Sequence, residues 1–256
     1  MSMRVSIITV VLNGVETIEH TIKSVLNQEY RDIEYIVIDG GSTDGTREIL
    51  AKYQGKISRC TSEPDSGIYE AMNKGIKSST GEAIAILNSD DIYADRTIVG
   101  QMVEFIQKNS LDAAYGDLIY VDRNDISRIR RYWRPGPYVN HAFRYGWVIP
   151  HPTFFCRREI FDRFGYFNEQ LRIAADFDLM LRFIEKHRIE IGYLPKLVTQ
   201  MRTAGKANVW RGILRGNWEI IKSFHRNGVP LSPWFFARKP IVKISQLFVR
   251  PSCDEQ

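Results

Sequence analysis

An apolar run that stops at two adjacent carboxylates constrains this chain most. Residues 83–87 are small or branched and apolar, and they lead into Asn88, Ser89, Asp90 and Asp91. Such a run is typical of a strand buried on both faces, as in a parallel sheet. In open α/β sheets, ligands bind in the crevice beyond the carboxyl ends of the strands. The pattern therefore predicts a buried strand that delivers two acids to a binding crevice.

Asp90 and Asp91 allow two interpretations. Neighbouring carboxylates repel one another unless a cation lies between them, and hard divalent ions bound to substrate phosphates take one or two carboxylates in this way. Alternatively, both are turn and N-cap residues, because Asp is common before a helix. The stretch by itself leaves both interpretations open.

Two strand–turn–helix units precede this stretch. Strands are predicted at residues 5–11 and 34–38, and amphipathic helices at about 16–28 and 46–53. Polar, glycine-containing turns follow both strands. This alternation of strand and helix predicts the nucleotide-binding half of an α/β sheet.

The turn after the second strand begins with Asp39 and ends with Thr46. It lacks the ending of a Walker loop and does not fit a GxGxxG pattern. A carboxylate at the end of a strand can accept two hydrogen bonds from a base or a sugar, so Asp39 is a candidate nucleotide contact. Asp44, in contrast, has the position of a helix cap.

A third loop and helix occupy residues 62–76. Pro64 and Gly67 frame the loop, and apolar residues then recur at helical spacing. Asp65, Asn73 and Lys74 are polar residues around this helix. Three such units before the acidic stretch make a nucleotide-binding half-sheet the expected architecture.

The composition fits one large α/β domain or a domain with an appendage, because the chain has 256 residues and is 44% hydrophobic. No stretch approaches the roughly 18 apolar residues of a spanning helix, and the first residues lack the core of a signal peptide. Cys60, Cys156 and Cys253 have no CxxC spacing, which argues against a disulfide framework or a zinc site. We therefore expect a cytoplasmic protein that is soluble or peripheral.

A basic and aromatic segment occupies residues 128–147, with His151 shortly after it. Aromatic rings stack on sugar faces and arginines hold phosphates, so Trp133 and Trp147 are candidate acceptor contacts. Alternatively, the two tryptophans fill a core under a long loop. His151 lies between two prolines and so outside a regular element, which makes it a candidate contact to the acceptor or to a pyrophosphate.

Asp176 and Asp178 lie at the start of a predicted helix whose apolar face includes Leu179 and Phe183. By its position alone, Asp176 is a helix-cap residue. Asp178 is either a structural residue or an acceptor contact.

The chain is basic after residue 201. From Arg202 to the end, ten Lys or Arg stand against three acids, whereas the rest of the chain has a net charge of about −2. We predict one main domain at 1–201, in two parts that divide at about residue 125. Residues 202–256 would form a basic amphipathic helical extension. Such helices lie in a membrane interface or pack on the main domain with a solvated basic face. No nucleic-acid partner is expected, because no binding motif accompanies the charge.

In their order and spacing, these motifs resemble family-2 glycosyltransferases of the GT-A fold, in the group that builds bacterial surface polysaccharides. The resemblance spans about the first 100 residues. It rests on Ser6-Ile7-Ile8-Thr9 with Asn13, on residues 34–46, 63–69 and 71–75, and on Leu87-Asn88-Ser89-Asp90-Asp91. Asn88 is a departure, because an acid is commoner in that place.

The resemblance implies that residues 1–201 are the catalytic domain, with a nucleotide-sugar half at about 1–125 and an acceptor half at about 126–201. It also implies specific roles. Asp39 would contact uracil, and Asp91 and Asp90 would hold Mn²⁺ or Mg²⁺, with Asp91 favoured as the direct ligand. Asp176 matches the Asp of a Glu-Asp pair that supplies the catalytic base, although Ala175 stands where the Glu is expected. Nucleotide-sugar contacts are implied at Thr9, Asn13, Asp39, Asp65, Gly67, Asn73, Lys74, Asn88 and Asp90.

The implied activity is inverting transfer of a sugar from a nucleotide-diphosphate donor, a UDP-sugar in the first instance. The acceptor would be a hydroxyl of a lipid-linked glycan in capsule, O-antigen or exopolysaccharide synthesis at the inner face of the cytoplasmic membrane. One alternative is a catalytically inactive subunit that binds carbohydrate or lipid. Another is a sugar-nucleotide nucleotidyltransferase, which would be expected to carry a glycine-rich loop with Arg or Lys where this chain has residues 12–16.

Overall fold

The computed structural model describes residues 3–203 and 209–236. The strands in this part of the chain are β1 (Val5–Val11), β2 (Ile33–Asp39), β3 (Arg59–Ser62), β4 (Ala83–Ile86), β5 (Asp91–Tyr93), β6 (Ala113–Val121), β7 (Ile129–Trp133), β8 (Phe155–Arg157) and β9 (Ile191–Arg202). The α-helices are α1 (Ile18–Leu26), α2 (Thr46–Lys52), α3 (Ile68–Ser78), α4 (Ile98–Lys108), α5 (Arg158–Phe164), α6 (Ala175–Met180) and α7 (Val209–Asn227). Most of these elements lie where the hydrophobic periodicity predicts them.

The first four strands form a parallel half-sheet in the order β3–β2–β1–β4. Alternate residues of β1 enter two cores: Ile8 packs on the side of α3, and Ile7 packs on the side of α1 and α4. Because helices cover both faces, β1 is buried at every position rather than at every second one. Helix α3 approaches β1 so closely at Gly75 that a Cβ there would lie 2.4 Å from Ile8 Cγ2.

The remaining strands extend the sheet, and the end of the acidic stretch forms one of them, β5. β8 runs antiparallel to β4 and β6, β6 runs parallel to β9, and β5 pairs antiparallel with the end of β9. Asp91 begins β5 opposite Met201. The helix-cap interpretation of Asp91 is therefore wrong, since a strand begins there and the next helix, α4, begins only at Ile98. The Asp91 N–H donates to the carbonyl oxygen of Asn88 at 3.1 Å, and its carbonyl oxygen accepts from the hydroxyl of Thr21.

Helix α7 packs one face on the catalytic core. The ring of Phe224 lies 5.6 Å from that of Phe177, and Phe235 lies 6.1 Å from the same ring, centroid to centroid. The helix also presents apolar side chains outward, with Leu214 72% exposed and Trp218 57% exposed. No helix in residues 3–203 or 209–236 combines the length and the apolar character needed to cross a membrane. The basic residues Arg238, Lys239 and Lys243, and also Cys253, lie outside the described residues.

Candidate active site

The structure brings the ends of β1, β2 and β4 together at one edge of the sheet. Gly14, just after β1, donates its N–H to Thr46 Oγ1 at 2.9 Å, and a Cβ on Gly14 would lie 3.5 Å from Ser89 Oγ. The turn after β2 and the turn after β4 are therefore neighbours, separated only by the turn after β1. This arrangement follows from parallel strands, whose carboxyl ends meet at the same edge.

Asp39 lies at this edge, buried at the end of β2. Its carboxylate accepts hydrogen bonds from the backbone and hydroxyl of Ser42 and, at 2.5 Å, from the hydroxyl of Ser62. Asn13 joins the same turn, because its N–H donates to Ser42 Oγ and its Oδ1 accepts from the N–H of Thr43. These contacts hold the Asp39 carboxylate in one orientation. Asp44 caps the start of α2 through Thr46, as expected.

The turn from Asn88 to Asp91 is held from two sides. The Asn88 side-chain amide donates to Asp91 Oδ2 at 2.9 Å. Thr21 Oγ1, on α1, lies within hydrogen-bond distance of the carbonyl oxygens of Ser89 and Asp91, at 2.9 and 2.7 Å. The Asp91 side chain is thereby fixed inside the protein, where it is fully buried.

The electrostatics of this turn favour a cation. Burial raises the pKa of the Asp91 carboxyl well above its usual range, and the neighbouring charge of Asp90 raises it further, although Asn88 and Arg202 act in the opposite direction. Among the described residues, Asp91 Oδ1 and Asn88 Oδ1 are buried acceptors without a hydrogen-bond partner. A divalent ion would satisfy two such oxygens and offset the repulsion between the acids.

The protein offers only part of a metal coordination shell here. Residues 3–203 and 209–236 contain no group of three or more His, Cys, Asp or Glu side chains that could hold a metal ion. Two aspartates and one amide oxygen nevertheless fit an ion that takes its other ligands from substrate phosphates and water, as Mg²⁺ commonly does. The residues present therefore fit a shared protein–substrate metal site.

Arg202 is a site residue that the sequence did not reveal. It ends β9 and is 3% exposed, and its guanidinium donates to the Asp90 carbonyl oxygen at 2.8 Å. A second guanidinium nitrogen lies 2.8 Å from Nδ1 of His20 on α1. Burial lowers the pKa of Arg202, while Asp90 and Asp91 raise it. Arg202 thus belongs to the sheet and supplies positive charge beside the acids, although its sequence position suggested the basic extension.

Asp176 lies at the start of α6 and is partly exposed to a cavity of about 720 Å³. Its Oδ1 accepts the N–H of Phe177 at 2.7 Å. Asn88 lines the same cavity, so the amide that holds Asp91 and the predicted base face one space. Tyr120 also lines this cavity. Burial raises the pKa of its hydroxyl, and the charges of Asp91 and Asp176 also act to raise it. The structure therefore brings the two acidic motifs together although 85 residues separate them in the sequence.

Glu219, on α7, anchors the segment that carries Asp176. Its buried carboxylate accepts the backbone N–H groups of Arg172, Ile173 and Ala174 at 2.8–3.2 Å. Burial acts to raise the pKa of Glu219, but these N–H groups and Arg215 outweigh it, so the pKa lies below its ordinary value. No pattern in the sequence signals this role, because the partners lie 45–47 positions away.

Replacing Glu219 by Gln should destabilise the protein near neutral pH by about 1.5–3 kcal/mol, the size of a hydrogen bond to a charged group. Because its pKa is lower in the folded state, the ionised carboxylate stabilises the fold above the ordinary pKa of 4.5, and this contribution disappears as the pH falls through the folded value. The melting temperatures of wild type and Glu219→Gln should therefore converge below pH 4.5. Scanning calorimetry at several pH values measures both effects.

Arg215→Gln is the matched control for that prediction. Arg215 is paired with Glu219 at 3.0 Å, but its side chain is 56% exposed. A half-exposed ion pair contributes about 0–1 kcal/mol, so this variant should stay close to wild type. An equal loss of stability in both variants would show that the ion pair, rather than the backbone contacts, is what Glu219 contributes.

The loop from Asp65 to Gly67 contacts the same segment. Asp65 Oδ1 accepts the N–H of Gly67 at 3.0 Å, and the Arg172 guanidinium donates to the carbonyl oxygen of Ser66. Gly67 has φ of +151°, which side chains rarely adopt, and a Cβ there would lie 2.8 Å from Arg172 Nη1. This loop, which leads into α3, therefore contacts the segment before Asp176.

Three residues that were predicted to contact the nucleotide-sugar form hydrogen bonds or ion pairs with other residues of the chain. Asn73 is buried and exchanges hydrogen bonds with the backbone of Phe167, and its amide also donates to Glu169. Lys74 pairs with Glu63 and Glu70 at 2.8 and 2.9 Å, and these partners raise its pKa. The Thr9 hydroxyl is buried and accepts from Tyr35. Their roles toward a donor stay predictions.

The candidate acceptor residues divide into two groups. Trp133 and His151 line the cavity with Asp176. Trp147 instead packs in the core against Phe143 and donates its indole N–H to the carbonyl oxygen of Pro135 at 2.7 Å. Asp178 is fully buried, paired with Arg182 at 3.1 Å and bonded to Asn227. The geometry favours the structural alternative for Trp147 and Asp178.

Comparison with known proteins identifies the family. Residues 6–165 match the family model described as Glycosyl transferase family 2. The chain belongs to this family. This family-2 glycosyltransferase is 35% identical over 182 residues to an uncharacterised glycosyltransferase of Mycobacterium tuberculosis, which covers 70% of this chain and 68% of the relative. It is 28% identical over 204 residues to a PGL/p-HBAD biosynthesis glycosyltransferase of Mycobacterium bovis, covering 78% of this chain and 77% of the relative.

Solved structures show that the fold is GT-A. S. aureus TarS in complex with UDP-GlcNAc superposes with a TM-score of 0.71 at 19% identity, covering 96% of this chain and 72% of that one. The mannosyltransferase PcManGT from Pyrobaculum calidifontis, in complex with GDP-Man and Mn²⁺, has a TM-score of 0.66 at 18% identity, covering 96% and 70%. The predictions of family, fold and enzyme class are confirmed.

Proposed function

We propose that this family-2 glycosyltransferase inverts the anomeric centre as it transfers a sugar from a UDP-sugar to a hydroxyl of a lipid-linked acceptor of the cell envelope. The observation that carries the proposal is the shared cavity, in which Asp176 and the Asn88–Asp91 turn meet. The acidic turn, which would hold a diphosphate, thus borders the space in which Asp176 can meet a nucleophile.

The donor would bind at the edge of the sheet. Asp39, held by Ser42 and Ser62, presents a carboxylate suited to the N–H of a uracil base. Asp90 and Asp91 would hold Mn²⁺ or Mg²⁺, which when bound acts as a Lewis acid toward the diphosphate. Solved relatives in complex with UDP, UDP-GlcNAc, or GDP-Man and Mn²⁺ support a nucleotide-sugar donor and a divalent ion.

The chemical step would be a single displacement. The acceptor hydroxyl attacks the anomeric carbon and its proton passes to the Asp176 carboxylate. The bond between the anomeric carbon and the diphosphate oxygen breaks, and its electron pair leaves with the diphosphate. The buried guanidinium of Arg202, beside Asp90, adds positive charge where the leaving group gains negative charge.

The outer face of α7 supports an acceptor presented at a membrane. Leu214 and Trp218 are exposed there, and the ammonium of Lys222 lies 3.4 Å from the centroid of the Trp218 indole. Aromatic, apolar and basic residues on one helix face are typical of helices that lie in the interface of anionic membranes. A relative named for PGL/p-HBAD biosynthesis is consistent with an envelope glycolipid as the product, whereas capsule, O-antigen and exopolysaccharide are narrower forms of the same proposal.

A thermal-shift panel tests the donor and the metal together. UDP with Mn²⁺ should raise the melting temperature more than either component alone, and more than GDP, ADP or CDP with Mn²⁺. A ligand at 100 times its Kd stabilises by about 2.7 kcal/mol. The same samples, given UDP-sugars without acceptor, should release UDP slowly in a Mn²⁺-dependent reaction.

Two outcomes would contradict the proposal. Binding of UDP without any turnover of UDP-sugars would favour an inactive binding subunit. Formation of UDP-sugar from UTP and a sugar phosphate would favour a nucleotidyltransferase. A larger shift with GDP than with UDP would move the donor class to GDP-sugars and leave the transferase assignment intact.

A further inference from the structure

The cavity beside Asp176 is larger and more apolar than the transfer chemistry requires. Its polar side chains include Asn88, Tyr120, His151 and Asp176. A volume of about 720 Å³ falls within the range of pockets that enclose small organic ligands, and such pockets are mostly apolar with few polar groups. The apolar lining comes from both the catalytic core and the C-terminal part of the chain: Val148, Ile149, Phe177, Met180, Ile213, Ile220 and Phe236.

Two glycines of α7 line this cavity, and one of them keeps it open. Gly212 and Gly216 lie one helical turn apart and both line the cavity. Each glycine lowers the stability of a helix by up to about 1 kcal/mol relative to Ala. Neither residue has a positive φ that would require glycine. A Cβ at Gly212 would have no atom within 4 Å among the described residues, and one at Gly216 would lie 3.3 Å from Ile173 Cγ2. The missing side chain of Gly212 therefore leaves open volume, whereas Gly216 lets α7 approach Ile173 closely.

The cavity is continuous with the exposed apolar face of α7. Ile213 lines the cavity and is also 46% exposed. Its neighbours Leu214 and Trp218 extend the apolar surface along the outside of the helix. An apolar chain can therefore pass from the surface to the vicinity of Asp176 without losing apolar contact.

We propose that this cavity binds the apolar aglycone of a short glycolipid acceptor. The inference rests on the proposed transferase function and specifies its acceptor. A hydroxyl many sugars from its lipid would bring a polar glycan into this space, where the apolar lining leaves sugar hydroxyls without partners. The enzyme therefore acts early in glycolipid assembly, on a hydroxyl close to the lipid. Its acceptor must come from a preceding reaction that attaches the first polar group to an apolar molecule.

The transfer balances as in the proposed mechanism. The acceptor O–H bond and the bond between the anomeric carbon and the diphosphate oxygen break, and a glycosidic bond forms. Asp176 takes the acceptor proton, and the nucleoside diphosphate leaves with the electron pair. The cavity contributes only binding, because it positions the hydroxyl next to Asp176.

Alkyl glycosides test the inference without knowledge of the natural acceptor. Octyl β-glucoside, below its critical micelle concentration, should bind the full-length protein at least about tenfold more tightly than methyl β-glucoside in calorimetric titrations. Gly212→Leu fills the cavity and should therefore lower the ratio of the Kd for methyl β-glucoside to the Kd for octyl β-glucoside by at least about tenfold. The thermal shift caused by UDP with Mn²⁺ should stay unchanged in this variant.

Two control variants distinguish binding in the cavity from binding on the outer face of α7. His225→Leu adds the same side chain at an exposed position of α7 and should bind octyl β-glucoside like wild type. Leu214→Gln combined with Trp218→Gln alters only the outer face. Loss of octyl binding in this double variant, with Gly212→Leu unaffected, would overturn the inference.

Equal binding of octyl and methyl β-glucoside would also overturn the inference. The proposed transferase function would survive that result, because it is judged by the response to UDP and by turnover of the donor. Conversely, octyl binding that depends on Gly212 in a protein without donor turnover would retain the apolar site and overturn only the transferase proposal.

Discussion

Replacing Asp176 by Asn should lower kcat for sugar transfer by about 10²–10⁴-fold, the range over which general bases contribute. Asn keeps the size of the side chain and can still accept the N–H of Phe177, which Asp176 Oδ1 now accepts at 2.7 Å. It cannot take the proton of an attacking hydroxyl. The loss should therefore appear in kcat, measured as product formed at saturating donor and acceptor.

Binding measurements show whether the lower kcat comes from the lost proton transfer or from weaker donor binding. The thermal shift caused by UDP with Mn²⁺ should be unchanged in Asp176→Asn, because the donor would bind at Asp39 and at the Asn88–Asp91 turn. Asp162→Asn, an exposed acid on α5, is the matched control and should retain full kcat. An Asp176→Asn protein that loses its response to UDP but keeps its turnover would refute the assignment of Asp176 as base.

The parts of the site that lie at strand ends were predictable from the sequence. A buried strand leaves a run of apolar residues, and the polar residue that ends the run must lie at the edge of the sheet. This pattern predicted that Asp39, Asn88, Asp90 and Asp91 lie at that edge, where the structure has them, while their roles toward a ligand stay predictions. Asp176 was found in a different way, by its resemblance to a family motif, since an Asp at the start of a helix is equally typical of a cap.

The residues that hold these side chains in place were not predictable in the same way. Arg202 reaches Asp90 across 112 positions, and Glu219 reaches Arg172 across 47. Neither contact leaves a periodic pattern, because each depends on how separate elements pack. Because the chain is basic after residue 201, the sequence assigned Arg202 to the C-terminal extension. In the structure Arg202 is instead the last residue of β9.

Helix α7 shows how one amphipathic pattern can serve two surfaces. Its spacing predicted either a membrane helix or a helix packed on the core. The structure has Phe224 and Ile220 in the core and Leu214 and Trp218 exposed, with Gly212 and Gly216 along the cavity. The apolar residues were visible in the sequence, but their division among core, cavity and solvent depends on how the helix is rotated against α6.

Replacing Asp91 by Asn should have opposite effects on stability and on activity. Without metal, the buried Asp91 carboxylate has one oxygen with no hydrogen-bond partner among the described residues and lies beside Asp90. Asp91→Asn keeps a polar side chain but removes this buried charge and its repulsion with Asp90. Relief of a poorly satisfied buried group is worth about 1–3 kcal/mol, and each kcal/mol raises the melting temperature by about 2–4 °C for a chain near this size. In EDTA, Asp91→Asn should therefore melt higher than wild type.

The same substitution should remove most of the response to metal. Asn carries no charge, so the thermal shift that Mn²⁺ adds to UDP should disappear, together with Mn²⁺-dependent release of UDP from UDP-sugars. Asp90→Asn distinguishes the two acids, because the Asp90 side chain is only partly buried. Its replacement removes the repulsion with Asp91 but no fully buried charge, so it should raise the melting temperature in EDTA less than Asp91→Asn does. If Asp90→Asn abolished the Mn²⁺ response and Asp91→Asn kept it, Asp90 would be the direct ligand, and the buried carboxylate of Asp91 would serve to orient the turn that presents it.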